Sequence, residues 1–259
     1  MCKIAALSRY FFTFLNSASM TTAILSALPE EQAGLLALLS QVRTSQRAGR
    51  EFHQGLLHGK PVILALSRIG KVAAATTATA LVEHFGAERI IFTGVAGGLA
   101  AQVQVGDVVV GAHYLQHDMD ASPLFARYEV PLYGLARFAA DTALHASVLI
   151  AARAAFPWAS GLKAIKIHTG LIASGDRFVC SAAQAAALRG ALPDALCVEM
   201  EGAAVAQVCH DYAVPYVAVR TISDRADATA HIDFPAFVRD VAGPYAVKLV
   251  DALLRSDFY

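Results

Sequence analysis

Charge is scarce in this chain and balanced where it occurs: 16% of its 259 residues are Asp, Glu, Lys or Arg, with 21 acids against 21 bases. Such a balance sets up no strong field to draw in nucleic acid or an anionic membrane, so the expected partner is a small molecule. Cysteine is sparse too. Cys2, Cys180, Cys197 and Cys209 are scattered without C-x-x-C spacing, mostly within apolar runs, and read as reduced, packed thiols of a cytoplasmic protein. No stretch approaches the roughly 18 unbroken apolar residues of a membrane span. The apolar cluster at 10–15, behind Lys3 and Arg9, is shorter than the roughly 7–15 residues of a secretory core. Residues 1–19 therefore read as a loose N-terminal extension or a start-site artefact, and 20–259 as one domain without a linker or an internal repeat.

What the chain does have is apolar bulk, 56% of its residues, enough for a large core. From Met20 onward, strands and helices alternate. Residues 22–28 read as a buried strand, and Pro29-Glu30-Glu31-Gln32 opens a helix with proline and acids in its first turn, its core face set by Leu35, Leu36, Leu38 and Leu39. Residues 51–58 and 61–67 flank Gly59 as a hairpin, and an alanine-rich helix runs from Gly70 to about Phe85. A strand at 89–94, a turn at Gly97-Gly98 and a strand at 107–115 follow. Residues 116–135 form a long loop, which at that length is usually functional or at an interface. Next come a helix over 142–155, a strand over 164–173, the elements around Glu201 and Asp224, and a closing helix over 235–254. The pattern is α/β, a single domain around a mixed, largely parallel twisted sheet flanked by helices.

Several familiar signatures are absent. Gly70-Lys71 has Ala65 and Val72 where a phosphate-cradling P-loop needs glycine and Ser or Thr. Gly94-x-x-Gly97-Gly98 is no dinucleotide fingerprint, though it allows a backbone to approach a ligand closely. His113, His117, Asp118 and Asp120 leave a strand for a loop, where i and i+4 do not converge, so no metal is expected there. Ser174 lies outside a G-x-S-x-G elbow. His210 and His231 have no identifiable nucleophile partner.

What remains are carboxylates at strand and helix ends: Glu31, Glu199, Glu201 and Asp224, with Asp176 close by. Any one of them taken singly reads as a helix cap or a solvated charge. Together, in such apolar company, they point to a site. The run 217–222 ends by presenting Ser223 and Asp224 at a strand's carboxyl edge, where open α/β sheets bind ligands. Glu199 and Glu201 stand two apart around Met200, so at most one is expected to point into the crevice.

Six blocks in order carry a resemblance across nearly everything after Met20. They are Ser26-Ala27-Leu28-Pro29-Glu30-Glu31, Ile69-Gly70-Lys71-Val72-Ala73-Ala74-Ala75, Thr93-Gly94-Val95-Ala96-Gly97-Gly98-Leu99, Ser174-Gly175-Asp176-Arg177-Phe178, Val198-Glu199-Met200-Glu201 and Arg220-Thr221-Ile222-Ser223-Asp224-Arg225-Ala226-Asp227. With these the chain resembles the 5′-methylthioadenosine/S-adenosylhomocysteine nucleosidases of the nucleoside phosphorylase superfamily. The resemblance implies a nucleoside phosphorylase-like fold and hydrolysis of 5′-substituted adenosines without metal or organic cofactor, a step in methionine salvage. It implies that Glu31 activates the attacking water and that Asp224 protonates, or hydrogen-bonds to, N7 of the departing adenine. Met200 and Glu201 would hold the ribose, Phe178 would stack on the purine, and the Val179 backbone would read its edge. Gly97 and Ser223 would lie against the substrate, and Leu28, Ile69 and Phe234 would line the 5′-alkylthio pocket. The loop at 125–131 would reach a neighbouring subunit's pocket, which implies a homodimer.

The chemistry asks for the same groups: a proton donor at the leaving base and a second carboxylate that deprotonates water across the sugar. An apolar strand end suits Asp224 as the proton carrier, and a helix amino terminus is expected to keep Glu31 ionised. One departure is Val95, where family members often carry serine; it offers no hydrogen bond and disfavours phosphate binding. Arg220 could supply positive charge or orient Glu201 or another acid. The rival readings are a futalosine-type nucleosidase, a purine nucleoside phosphorylase and, outside enzymes, a nucleoside-binding or storage protein, against which the pairing of Glu31 with Asp224 argues.

Overall fold

The computed structural model describes residues 20–156, 165–226 and 234–256. The 1–19 extension and His231 lie outside the described residues. Strand β1 (Thr22–Ser26) is wholly buried and runs into α1 (Pro29–Leu36), with proline in the first turn and Glu30 and Glu31 beside it. The helix stops before Leu38, which is exposed, so only Leu35 of the expected leucine face is fully buried. Strands β2 (Ser40–Arg47), β3 (Arg50–Leu57) and β4 (Lys60–Leu66) form an antiparallel ribbon around the expected hairpin. Helix α2 (Lys71–Glu83) buries Ala74, Ala78 and Leu81, its small side chains letting it lie close to the sheet.

The chain continues through β5 (Arg89–Gly98), β6 (Val108–Gln116), the short β7 (Phe138–Ala139) and α3 (Thr142–Ala155), which Asp141 caps by accepting from the Leu144 N–H at 2.8 Å. Then come β8 (Ile167–Ser174), α4 (Ala182–Ala191), capped by Ser181, and β9 (Ala195–Glu199). Helix α5 (Gly202–Asp211), β10 (Tyr216–Asp224), a single turn α6 (Phe234–Phe237), a π-helical turn (Val238–Ala242) and α7 (Gly243–Arg255) complete it. The expected closing helix is thus one helical passage interrupted by a wider turn.

The sheet order is β10-β6-β8-β9-β5-β1-β4-β3-β2, and β10 also pairs with β5. The first five strands therefore close on themselves, and the rest extend from β5 as an open wing. The long registers of β1 with β4, β10 with β5 and β6 with β8 are parallel. One layer of core packs α2 and α5 on one face, and another packs α1, α3 and α7 on the other.

Gly97 and Gly98 are not a turn. They are the last residues of β5, pairing with Val198 and Cys197 of β9, while Gly97 also meets Asp224 of β10. Glycine is needed there for space: a Cβ at Gly97 would lie 3.0 Å from Asp224 Oδ1 and 3.0 Å from the Ala226 Cβ. This crowding gathers the ends of β1, β5, β9 and β10 at one edge.

Candidate active site

That edge opens into a cavity of about 150 Å³. Every site residue expected from the sequence lines it: Glu31 and Asp224, Gly97 and Ser223, Phe178 and Val179, Met200 and Glu201, and Leu28, Ile69 and Phe234. Four strand ends and the first turn of α1 supply the floor, while Ile69 and Phe178, 58% and 44% exposed, form the rim.

Glu31 sits in the opening turn of α1 and is buried. Its Oε2 accepts hydrogen bonds from the Ala27 and Leu28 N–H groups, both at 2.9 Å. Its Oε1 is buried without a hydrogen-bond partner among the described residues, with the Val95 backbone close enough to favour the ionised form, and the residue lines the cavity. Burial pushes the Glu31 carboxyl up to about 7, and the Leu28 N–H, the Arg220 charge and the Ala27 N–H hold it from going higher. Glu31 is thus less acidic than its place in the first turn of a helix would make it. Desolvation outweighs the dipole, and the carboxyl is poised near neutrality.

Glu199 and Glu201 both line the cavity although they stand only two apart. The reason is local. Strand β9 ends at Glu199 and α5 begins at Gly202, so the chain turns between the two carboxylates and does not alternate across a sheet. Glu199 is fully engaged: Arg220 donates to its Oε2 from Nη2 at 2.7 Å and from Nε at 3.3 Å. The Glu201 and Gly202 N–H groups donate at 2.9–3.2 Å, and the Ser174 hydroxyl donates to Oε1. Arg220 thus orients Glu199, the other acid, and not Glu201. Its Nη1 donates to the Phe92 carbonyl at 2.9 Å, and its guanidinium lies 4.1 Å from the centre of the Phe92 ring.

Glu201 accepts from the Gly70 N–H at 2.8 Å, which ties it to the start of α2. Its carboxyl is raised above the usual range by burial and then by the Glu199 charge beside it. On β5, Gly94 makes room for this chemistry: a Cβ there would lie 3.3 Å from Glu31 Oε1 and 3.4 Å from Arg220 Nη1.

Asp224 ends β10 just after a register shift in its pairing with β5. The Ser223 hydroxyl donates to its Oδ2 at 2.6 Å and the Ala226 N–H to its Oδ1 at 2.7 Å. Phe178 and Phe234 meet edge to face with ring centres 6.3 Å apart, and Val179 is buried beneath them. Val95 lines the wall.

Asp176 and the loop residues behave differently. Asp176 accepts from the Lys71 N–H at 2.7 Å, and Asp118 accepts from the Lys71 ammonium at 2.7 Å and from the Asp176 N–H at 2.9 Å, so this cluster ties the rim together outside the cavity. His210 packs against the rings of Tyr133 and Phe138. The lining residues Phe92 and Arg177 went unpredicted. Phe92 is hidden inside an apolar run, whereas Arg177, within Gly175-Asp176-Arg177-Phe178, carried a visible signal in its position beside Phe178.

Comparison with known proteins bears on the family and the fold. The sequence profile of the phosphorylase superfamily matches residues 21–255. A 5′-methylthioadenosine/S-adenosylhomocysteine nucleosidase of Shewanella denitrificans is 35% identical over 235 residues, 91% of this chain and 99% of the relative. The crystal structure of the Neisseria meningitidis nucleosidase of the same name, in complex with methylthio-immucillin-A, is similar with a TM-score of 0.84 at 37% identity, covering 91% of this chain and 98% of that one. The structure of futalosine hydrolase of Helicobacter pylori is similar with a TM-score of 0.82 at 32% identity, covering 91% and 97%.

The Glu199–Arg220 pair lends itself to a direct test of what holds the cavity floor. Replacing Glu199 with Gln or Arg220 with Met strands the other partner in the interior, so each is expected to cost about 3–5 kcal/mol in urea unfolding. The double variant should cost clearly less than the two losses together. Single variants within about 0.5 kcal/mol of the parent would contradict the assignment.

Proposed function

The chain belongs to the 5′-methylthioadenosine/S-adenosylhomocysteine nucleosidase family of the phosphorylase superfamily and hydrolyses the N-glycosidic bond of these nucleosides to release adenine; we propose that Glu31 and Asp224 carry the reaction from opposite sides of that bond. Cleavage leaves positive charge on the ribose and negative charge on the purine. Asp224, aligned by Ser223 and Ala226, meets the purine and protonates or hydrogen-bonds to N7 as the base departs. Glu31 takes the proton from water through its unpartnered Oε1. A carboxyl near 7 suits that role, since a base works best when its affinity for the proton lies near the working pH. The observation that carries this reading is the presence of that free buried oxygen and the Asp224 carboxyl in one cavity.

Around the reacting atoms, Met200 and Glu201 hold the ribose, with Glu201 hydrogen-bonding to its hydroxyls. Phe178 stacks on the purine and the Val179 backbone reads its edge, while Leu28, Ile69 and Phe234 receive the 5′ substituent. Arg220 supports hydrolysis over phosphorolysis, because four of its five N–H donors are committed to Glu199 and to carbonyls and its charge is balanced by Glu199. Val95 adds no hydroxyl, and an ionised Glu31 repels the anion. The chemistry needs a water-activating base, which a storage protein does not.

We further propose that the protein acts as a homodimer in the cytoplasm. Leu124 and Leu132, flanking the loop at 125–131, are 84% and 92% exposed, and Val72 beside the rim is 78% exposed. Cys180, Cys197 and Cys209 are free thiols, as a reducing compartment allows.

Replacing Asp224 with Asn should lower turnover by roughly 10²–10⁴ with analogue binding largely kept. Glu31→Gln should remove most hydrolysis and likewise still bind a non-cleavable analogue, whereas Glu201→Ala should weaken both binding and rate. Adenine release and calorimetry separate these roles. Near-normal turnover in Asp224→Asn, or equal loss of binding in the Glu31 and Glu201 variants, would overturn the assignments. Sedimentation of the intact chain at micromolar concentration should give the dimer mass, and a fully active monomer would refute the dimer.

A further inference from the structure

We propose that Arg177 is a specificity-determining residue that favours 5′ substituents carrying a carboxylate. The proposal rests on the nucleosidase reading of the cavity and concerns only the end of the substrate away from the purine. Arg177 lines the cavity while remaining solvent-exposed, which puts the residue at the mouth. Its neighbours fix where on the mouth it lies. Asp176 is tied to the Lys71 N–H at 2.7 Å, two residues from the rim residue Ile69, and Phe178 meets Phe234 edge to face. Arg177 therefore lies in the chain between a residue tied beside Ile69 and a residue packed on Phe234, two of the three side chains that receive the 5′ substituent.

The nearby cations are already matched. Lys71 is paired with Asp118, Asp176 accepts from backbone, and deeper in the cavity Arg220 is paired with Glu199. Arg177 makes no hydrogen bond or ion pair with any described residue. A guanidinium of this kind, half in water and beside apolar walls, presents a planar fork of donors that fits a carboxylate in a bidentate pair. A methylthio tail ends before such a contact, whereas a longer tail ending in carboxylate brings to the mouth the charge that Arg177 lacks. The acid could be that of an amino-acid tail or of a simpler carboxyalkyl tail. Both present the same group.

The test is calorimetric binding of non-cleavable 5′-thio analogues to the intact chain. One pair has a carboxypropyl tail or its neutral carboxamide, and a third analogue carries the homocysteine tail. The parent protein should bind the carboxylate about five- to tenfold tighter than the carboxamide, as expected for a partly exposed charge-assisted pair, with the difference shrinking as salt is added. In Arg177→Gln the ratio should fall to about one whatever happens to the absolute affinities, and Arg177→Lys should restore part of it. If the homocysteine analogue follows the carboxylate, the acid alone is read; if it follows the carboxamide, its ammonium cancels the attraction and the preference is confined to simple acids. A ratio near one in the parent, or an unchanged ratio in Arg177→Gln, would overturn the proposal. Failure of the parent to release adenine from methylthioadenosine would instead count against the reaction, leaving the binding ratio as a separate result.

Discussion

The buried contact between Glu199 and Arg220 is the constraint on which the site depends. Both side chains are almost wholly removed from water, and the charge of each is tolerable there only because the other, together with backbone N–H and carbonyl groups, replaces the lost hydration. The pair joins the end of β9 to the middle of β10 across β5, where Gly94 leaves the space for it. From this follow the turn at Met200, the placement of Glu201 over the cavity, and the position of a positive charge near Glu31.

A single environment then gives similar carboxyls different tasks. Glu199 is neutralised by its partner and serves structure. Glu201 feels both burial and the Glu199 charge and is held high. Glu31 is buried more deeply still but has N–H donors on one oxygen and a cation within electrostatic reach, which leaves it near neutrality with its other oxygen free. Arg220 meanwhile commits most of its donors to Glu199 and to the Phe92 and Val219 carbonyls.

Much of this was legible in the sequence because the signals were local. Pro29 with two following acids marked the start of α1 and hence Glu31, and the apolar run ending in Ser223 and Asp224 marked the edge of β10. What was not legible depended on long-range contacts. Gly97 lines the cavity but reads as a turn in the sequence, because only the approach of Asp224 and Ala226 explains a glycine at the end of a strand. Strand β2, Ser40–Arg47, is fully exposed and polar, so it carries no apolar alternation to read. The partner of Arg220 could not be chosen between neighbouring acids until β9 and β10 were set on either side of β5. The degree to which burial raises the Glu31 carboxyl depends on the fold, whereas a helix terminus is visible in the chain.

The account's central claim is that the folded protein holds the Glu31 carboxyl near neutrality before any substrate arrives. Infrared difference titration of the resting protein, with the Glu31→Gln variant subtracted to isolate one carboxyl band, tests this directly. The account predicts a protonated-carboxyl band that disappears with a midpoint near pH 7. A midpoint close to the ordinary value of 4.5 would contradict it, since burial would then not be what tunes the base.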